Sequence, residues 1–87
     1  MARDLWERPT FVYRAFGTNG RLLYVGISDN WRARLRGHEK SSDWWAYVIR
    51  VDAELYESRH QAFAVESWAV RYESPLWNSE EQWRWVP

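Results

Sequence analysis

The sequence predicts an α+β domain in which a small, mainly antiparallel three-stranded sheet is flanked by helices. Three observations carry this. Residues 10–16 alternate in the strand manner and are followed by a turn and a second apolar run; residues 44–51 are rich in aromatic and β-branched side chains; and two stretches show helical periodicity. At 87 residues the chain makes one domain, 1–87, with a core over 10–78 and tails at 1–9 and 79–87.

Along Thr10–Phe16, Phe11, Tyr13 and Ala15 share one face, and Val12, Arg14 and Phe16 the other. Gly17-Thr18-Asn19-Gly20 is a turn signal, and residues 21–27 (RLLYVGI) form the second strand of a hairpin. Paired numbers sum to 39 for a two-residue Asn-Gly turn and to 37 for a four-residue loop. Either register sets Tyr13 and Tyr24 on one face, directly or diagonally opposed.

Ser28 or Asp29 caps a helix running to about residue 39. At about 100° per residue, Trp31, Arg34, Leu35 and His38 form one stripe, while Arg32 and Arg36 point away from it. Residues 44–51 (WWAYVIRV) read as the third strand. Ser58 and Gln61 have the spacing of a capping box, which predicts a long helix over 59–73, ended by Pro75. On that helix Ala62, Phe63, Ala69 and Val70 surround Glu66, and Ala64, Trp68 and Tyr72 make a second apolar side.

Composition limits the function. Eight Trp, five Tyr and three Phe supply apolar area that so short a chain otherwise lacks. These aromatics, with Trp44, Trp45, Trp68, Trp77, Trp83 and Trp85 among them, are expected in core and tail packing rather than base stacking. The absence of cysteine excludes a disulfide framework and a thiolate metal site. No apolar stretch suits a signal peptide or a membrane span, so a cytoplasmic protein without membrane contact is expected. Twelve Lys and Arg balance twelve Asp and Glu, which argues against strong nonspecific DNA affinity. Eleven of those cations are Arg, whose planar fork suits phosphate.

The carboxylate within an apolar stripe is the sharpest single signal. Burying it unpaired costs several kcal/mol, on the order of that for any lone ion, so Glu66 pairs with an arginine, is protonated, or holds a cation. Two tyrosines on one sheet face and Arg34 with His38 on one helix face are groups that can converge with it.

In this order and spacing, residues 11–78 resemble the GIY-YIG nuclease family, named for two tripeptides on a hairpin. They read Phe11-Val12-Tyr13 and Tyr24-Val25-Gly26, with the tyrosines eleven residues apart. Arg34 and His38 follow Gly26 by eight and twelve residues; Glu66 matches the family's metal-binding glutamate, and Asn78 closes a Pro-x-x-Asn ending. The first glycine of the first tripeptide is replaced by Phe11, read as tolerated packing, and these residues include no separate DNA-binding module of the kind many members carry.

The resemblance implies a metal-dependent endonuclease hydrolysing DNA phosphodiester bonds. Glu66 is then the sole protein ligand of Mg²⁺, or Mn²⁺ in its place. Tyr13 is the general base, Tyr24 orients water or phosphate, Arg34 contacts the scissile phosphate, and His38 bonds the phosphate or the phenol. Asn78 fixes the site through a backbone group or a neighbouring side chain. Arg32 and Arg36, otherwise solvated, are further nucleic-acid contacts, and His60 is a surface residue. All of this requires Tyr13, Tyr24, Arg34, His38 and Glu66 to line one concave surface. Weak DNA affinity calls for a homodimer or a partner protein. The alternatives are a catalytically weak or inactive module of the same family serving as a binding or assembly subunit, and an aromatic peptide-binding or carbohydrate-binding module.

Overall fold

A computed structural model describes residues 5–78. Its elements are β1 (Thr10–Phe16), β2 (Leu22–Ser28), α1 (Trp31–Ser41), β3 (Arg50–Tyr56) and α2 (Arg59–Tyr72). The three strands form one antiparallel sheet in the order β2-β1-β3, so the fold class is the α+β arrangement that the sequence predicts.

The hairpin keeps the register in which paired numbers sum to 39, from Phe11 opposite Ser28 to Ala15 opposite Tyr24, and then slips between Ala15 and Phe16. That bulge accommodates a connection longer than two residues. Thr18–Gly20 forms a 3₁₀ turn in which Asn19 and Gly20 both take left-handed backbone angles (φ 58° and 71°). Tyr13 therefore faces Gly26, and Tyr24 lies diagonally from Tyr13.

Two expected boundaries are corrected. The N-cap of α1 is Asn30, whose side chain accepts from the Ala33 amide at 3.2 Å, rather than Ser28 or Asp29, and the helix continues to Ser41. Ser28 instead accepts from the Asn30 amide, an adjoining turn that uses up its oxygen. The third strand does not cover residues 44–51. Asp43–Tyr47 is a 3₁₀ turn, and β3 begins only at Arg50. Burying Trp44 between the sheet and α1 turns the chain back before it can pair, which outweighs the strand preference of that run. The alternation Arg50, Asp52, Glu54 against Val51, Ala53, Leu55 was the stronger period-two signal.

The helix α2 starts as expected, with the Ser58 hydroxyl accepting from the Gln61 amide. Gln61 returns its side-chain oxygen to the amide of Glu57, one residue before the cap. At the other end Ser74 takes φ 53° just before the buried Pro75. Residues 5–7, expected in a loose end, make a 3₁₀ turn whose Trp6 stacks on the exposed His60 at 5.2 Å. The expected tail at 79–87, with Trp83 and Trp85, lies outside the described residues.

The sheet has two covered faces. On one, Val12 and Val25 pack with Ala62 and Ala69 of α2. Arg14 extends from the same face to a bidentate pair with Glu73 at 2.9 Å, which holds its guanidinium further toward the charged form. On the other face, Tyr13, Ala15 and Tyr24 pack with Trp44, Trp31 and Leu35. Phe63 and Val70, expected around Glu66, do not close over it as core: Phe63 is exposed and Val70 half-buried, and Val65 packs inward instead. Among the described residues no helix is long and apolar enough to cross a membrane.

Ser74 supplies a test of this architecture. A side chain in the left-handed region costs about 1 kcal/mol that glycine avoids. Ser74→Gly should raise stability by roughly 0.5–1 kcal/mol and Ser74→Val should lower it by more than about 1 kcal/mol. Urea denaturation midpoints that move in the reverse order would refute the assigned helix end.

Candidate active site

The tyrosine face of the sheet carries a closed aromatic and polar cluster. Tyr13 is 1% exposed, Tyr24 5% and His38 3%. The Tyr13 hydroxyl and His38 Nε2 share a hydrogen bond of 2.9 Å, and His38 Nδ1 shares one of 2.8 Å with the Ser42 hydroxyl. Trp44 stacks on Tyr24 at 4.7 Å and 13°, and His38 stands edge-on to Tyr24 at 4.9 Å. Each ring is thereby fixed in orientation by two neighbours.

The local sequence explains how these side chains meet. His38 lies two turns beyond Trp31 on the buried stripe of α1, and Ser42 follows it by one further turn. Gly26, opposite Tyr13, leaves the room the phenol occupies. A Cβ there would collide with the Tyr13 ring and hydroxyl and come within 2.9 Å of Tyr24 Cε2. Phe11 packs edge-on against Trp31 at 6.4 Å, on the same face.

Burial lowers the His38 pKa to about 4, and the nearby positive charge of Arg34 adds to the effect. The imidazole is therefore neutral near pH 7, with one nitrogen donating and the other accepting. The chain Ser42–His38–Tyr13 can run in either direction. When Ser42 donates to Nδ1, Nε2–H is left to donate to the phenol oxygen.

Asn78 is 1% exposed and acts on the backbone of the edge strand. Its Oδ1 accepts from the Val25 amide at 2.6 Å, and its Nδ2 donates to the Val25 carbonyl at 2.7 Å. The amides of Leu76 and Trp77 donate to the carbonyls of Leu22 and Leu23. Residues 76–78 thus line the outer edge of β2, and Trp77 joins the tyrosine cluster.

The arginines of α1 are exposed. Arg34 lies close enough to His38 to oppose its protonation, Arg32 covers the Trp31 ring at 4.5 Å, and Arg36 faces solvent. Together with Lys40 they oppose a single carboxylate on the helix, Glu39. The zero net charge hides this local surplus.

Glu66 is carried by α2. It is half-buried on α2, between the turns carrying Ala62 and Ala69, and that helix covers the Val12 and Val25 side of the sheet. The structure thus gathers Tyr13, Tyr24 and His38 on one face of the sheet with Arg34 nearby, and brings Glu66 in on the helix that packs against the other face. Ser42, Trp44 and Gly26 were missed as site residues. The spacing of His38 and Ser42, and the glycine that ends the second tripeptide, were the available signals.

Two tests follow from this geometry. A histidine whose pKa is depressed on folding takes up more protons unfolded than folded between about pH 4 and 6.5, so stability is lost as pH falls through that window. His38→Gln should flatten that part of the stability profile, measured by denaturation at each pH; an unchanged slope would show that His38 does not cause it. Gly26→Ala should destabilise the fold by about 1–3 kcal/mol through overpacking and shift the tyrosine ring resonances, whereas a neutral outcome would contradict the contact with Tyr13. No family model, curated protein or solved structure matches this chain.

Proposed function

We propose that this domain is a GIY-YIG-type, metal-dependent endonuclease that hydrolyses DNA phosphodiester bonds in the cytoplasm. The observation that supports it most is the Tyr13 phenol, hydrogen-bonded to a neutral histidine, lying against Gly26 of an edge strand and flanked by the exposed cations of α1.

The proton chemistry follows from the hydrogen-bond chain. With His38 Nε2–H donating to the phenol oxygen and Ser42 donating to Nδ1, the chain offsets part of the cost that burial sets on the Tyr13 phenolate. That form accepts the proton of the attacking water. Arg34 neutralises the scissile phosphate, Arg32 and Arg36 hold flanking phosphates, and Tyr24 orients the water. Asn78 keeps β2 in register beneath them.

Glu66 is the residue to hold Mg²⁺ or Mn²⁺. No group of three His, Cys, Asp or Glu that could hold a metal occurs among the described residues. One carboxylate suits a hard cation that keeps several waters and completes its shell with phosphate oxygens. When bound, the metal supplies charge neutralisation at the phosphate. Since α2 and the tyrosines flank opposite faces, the phosphodiester in this reading spans the β2 edge near Gly26, beyond the stretch that residues 76–78 cover. Few phosphates are neutralised by one short helix, so binding to plain duplex is weak, and a homodimer or a partner protein supplies the rest. Ala64, Trp68 and Tyr72 form an exposed side of α2 suited to such association.

The burial of both tyrosines favours a second reading, a catalytically weak or inactive member acting as a binding or assembly subunit. Cleavage assays on supercoiled, linear, single-stranded and branched DNA with Mg²⁺ or Mn²⁺ distinguish the two. The endonuclease reading predicts nicking that falls about 10²-fold or more in Glu66→Ala and in Tyr13→Phe, and that chelator stops without changing the melting temperature. Intact substrates throughout, or equal cutting by both variants, would favour the second reading.

A further inference from the structure

At the turn end of the hairpin, away from Gly26, a cleft of about 370 Å³ opens between three segments. Its lining includes Arg21, Leu23, Tyr47, Leu76, Trp77 and the turn at 17–19. The volume falls at the lower end of small-molecule sites, roughly 300–1,000 Å³.

The walls are fixed rather than collapsible. Leu76 and Trp77 are bonded through their amides to β2 carbonyls at 3.2 and 2.9 Å, and Ile49 donates to the Phe16 carbonyl at 2.8 Å, which holds the neighbouring Tyr47 turn. Gly17 sits where a Cβ would come within 3.2 Å of the Tyr47 carbonyl and 3.3 Å of Leu23, so the segments approach as closely as a bare backbone permits. Into this frame the chain leaves two apolar side chains largely in water: Tyr47 is 63% exposed and Leu76 51%.

The polar groups indicate the ligand. Arg21 is the one charged residue of the lining, and no carboxylate accompanies it. A planar ring joined to an anion matches an aromatic wall and a lone cation. We propose that this cleft binds an unstacked nucleobase, with Arg21 contacting the phosphate attached to it.

The identification of the base as part of a substrate strand rests on the endonuclease reading; the cleft and its preference for a nucleotide do not. Leu23 is three residues from Gly26, which at about 3.3 Å per residue spans roughly three base steps of DNA. A base captured there would mark a substrate with locally unpaired nucleotides, and stacking of a single base on an aromatic side chain is sequence-tolerant.

The test is an amide and indole NMR titration without metal, using deoxyadenosine 5′-monophosphate, deoxyribose 5-phosphate and N-acetyltryptophanamide as separate probes. The nucleotide should shift the amides of 17–19 and 76 and the Trp77 indole signal, and bind at least fivefold more tightly than the base-free phosphate. Tyr47→Ala and Leu76→Ala, both at exposed positions, should each weaken it at least fivefold while the resonances of Gly26 and His38 stay in place. Equal binding of nucleotide and base-free phosphate, or shifts confined to α1, would overturn the proposal. Tighter binding of N-acetyltryptophanamide would likewise overturn it in favour of a peptide side chain. Because the readout is binding, a protein that takes the nucleotide but cuts no DNA would refute the endonuclease reading alone.

Discussion

The carboxamide of Asn78 bonds both backbone groups of Val25, and most of the functional geometry depends on that clasp. An edge strand presents unpaired amides and carbonyls, and β2 would offer them to any passing chain. Here residues 76–78 take up those at Leu22, Leu23 and Val25. The same attachment brings Trp77 into the tyrosine cluster and sets Leu76 as one wall of the cleft.

A second constraint is the division of the sheet into faces. Odd-numbered residues of β1 meet α1 and the Trp44 turn, and even-numbered ones meet α2. The pleat therefore sets Tyr13 and Tyr24 on one face of the sheet and the helix that carries Glu66 on the other. A phenol buried with a neutral histidine is ready to change its hydrogen-bonding direction at little cost, because no net charge is created on the imidazole. A carboxylate on the opposite layer can serve the same reaction only around an edge, which gives Gly26 two roles: it admits the Tyr13 ring, and it leaves the strand edge without a side chain.

Much of this was legible in the sequence. The alternation of Thr10–Phe16, the Asn-Gly turn and the Ser58 cap fixed the hairpin and the long helix, because each depends on local backbone preferences. Helical periodicity was enough to put His38 on the buried stripe of α1. The third strand starts later than the sequence suggests because Trp44 and Trp45 have strand preference but are claimed by tertiary packing in a 3₁₀ turn. Sequence periodicity also showed that Glu66 lies in an apolar stripe without showing against which sheet face that stripe packs. That choice is set by the hand of the connection between β3 and α2, which composition and spacing do not encode. The cleft at the hairpin turn was invisible for the same reason, since its walls come from three segments distant in the chain.

Charge follows the same division. The cations of α1 border the tyrosine face, whereas residues 50–73 carry five acidic residues, Asp52, Glu54, Glu57, Glu66 and Glu73, against Arg50, Arg59 and Arg71, with Glu73 paired to Arg14. In the proposed reading a polyanion meets the α1 side and a metal ion is held from α2, and the β2 edge is where the two meet. The most direct test is paramagnetic broadening by Mn²⁺ added to the isotope-labelled domain with a non-hydrolysable phosphorothioate DNA. The account predicts that the Gly26 and Glu66 amide signals broaden together, and only when both metal and DNA are present. Broadening of Glu66 alone, or of neither, would contradict a phosphodiester held across that edge.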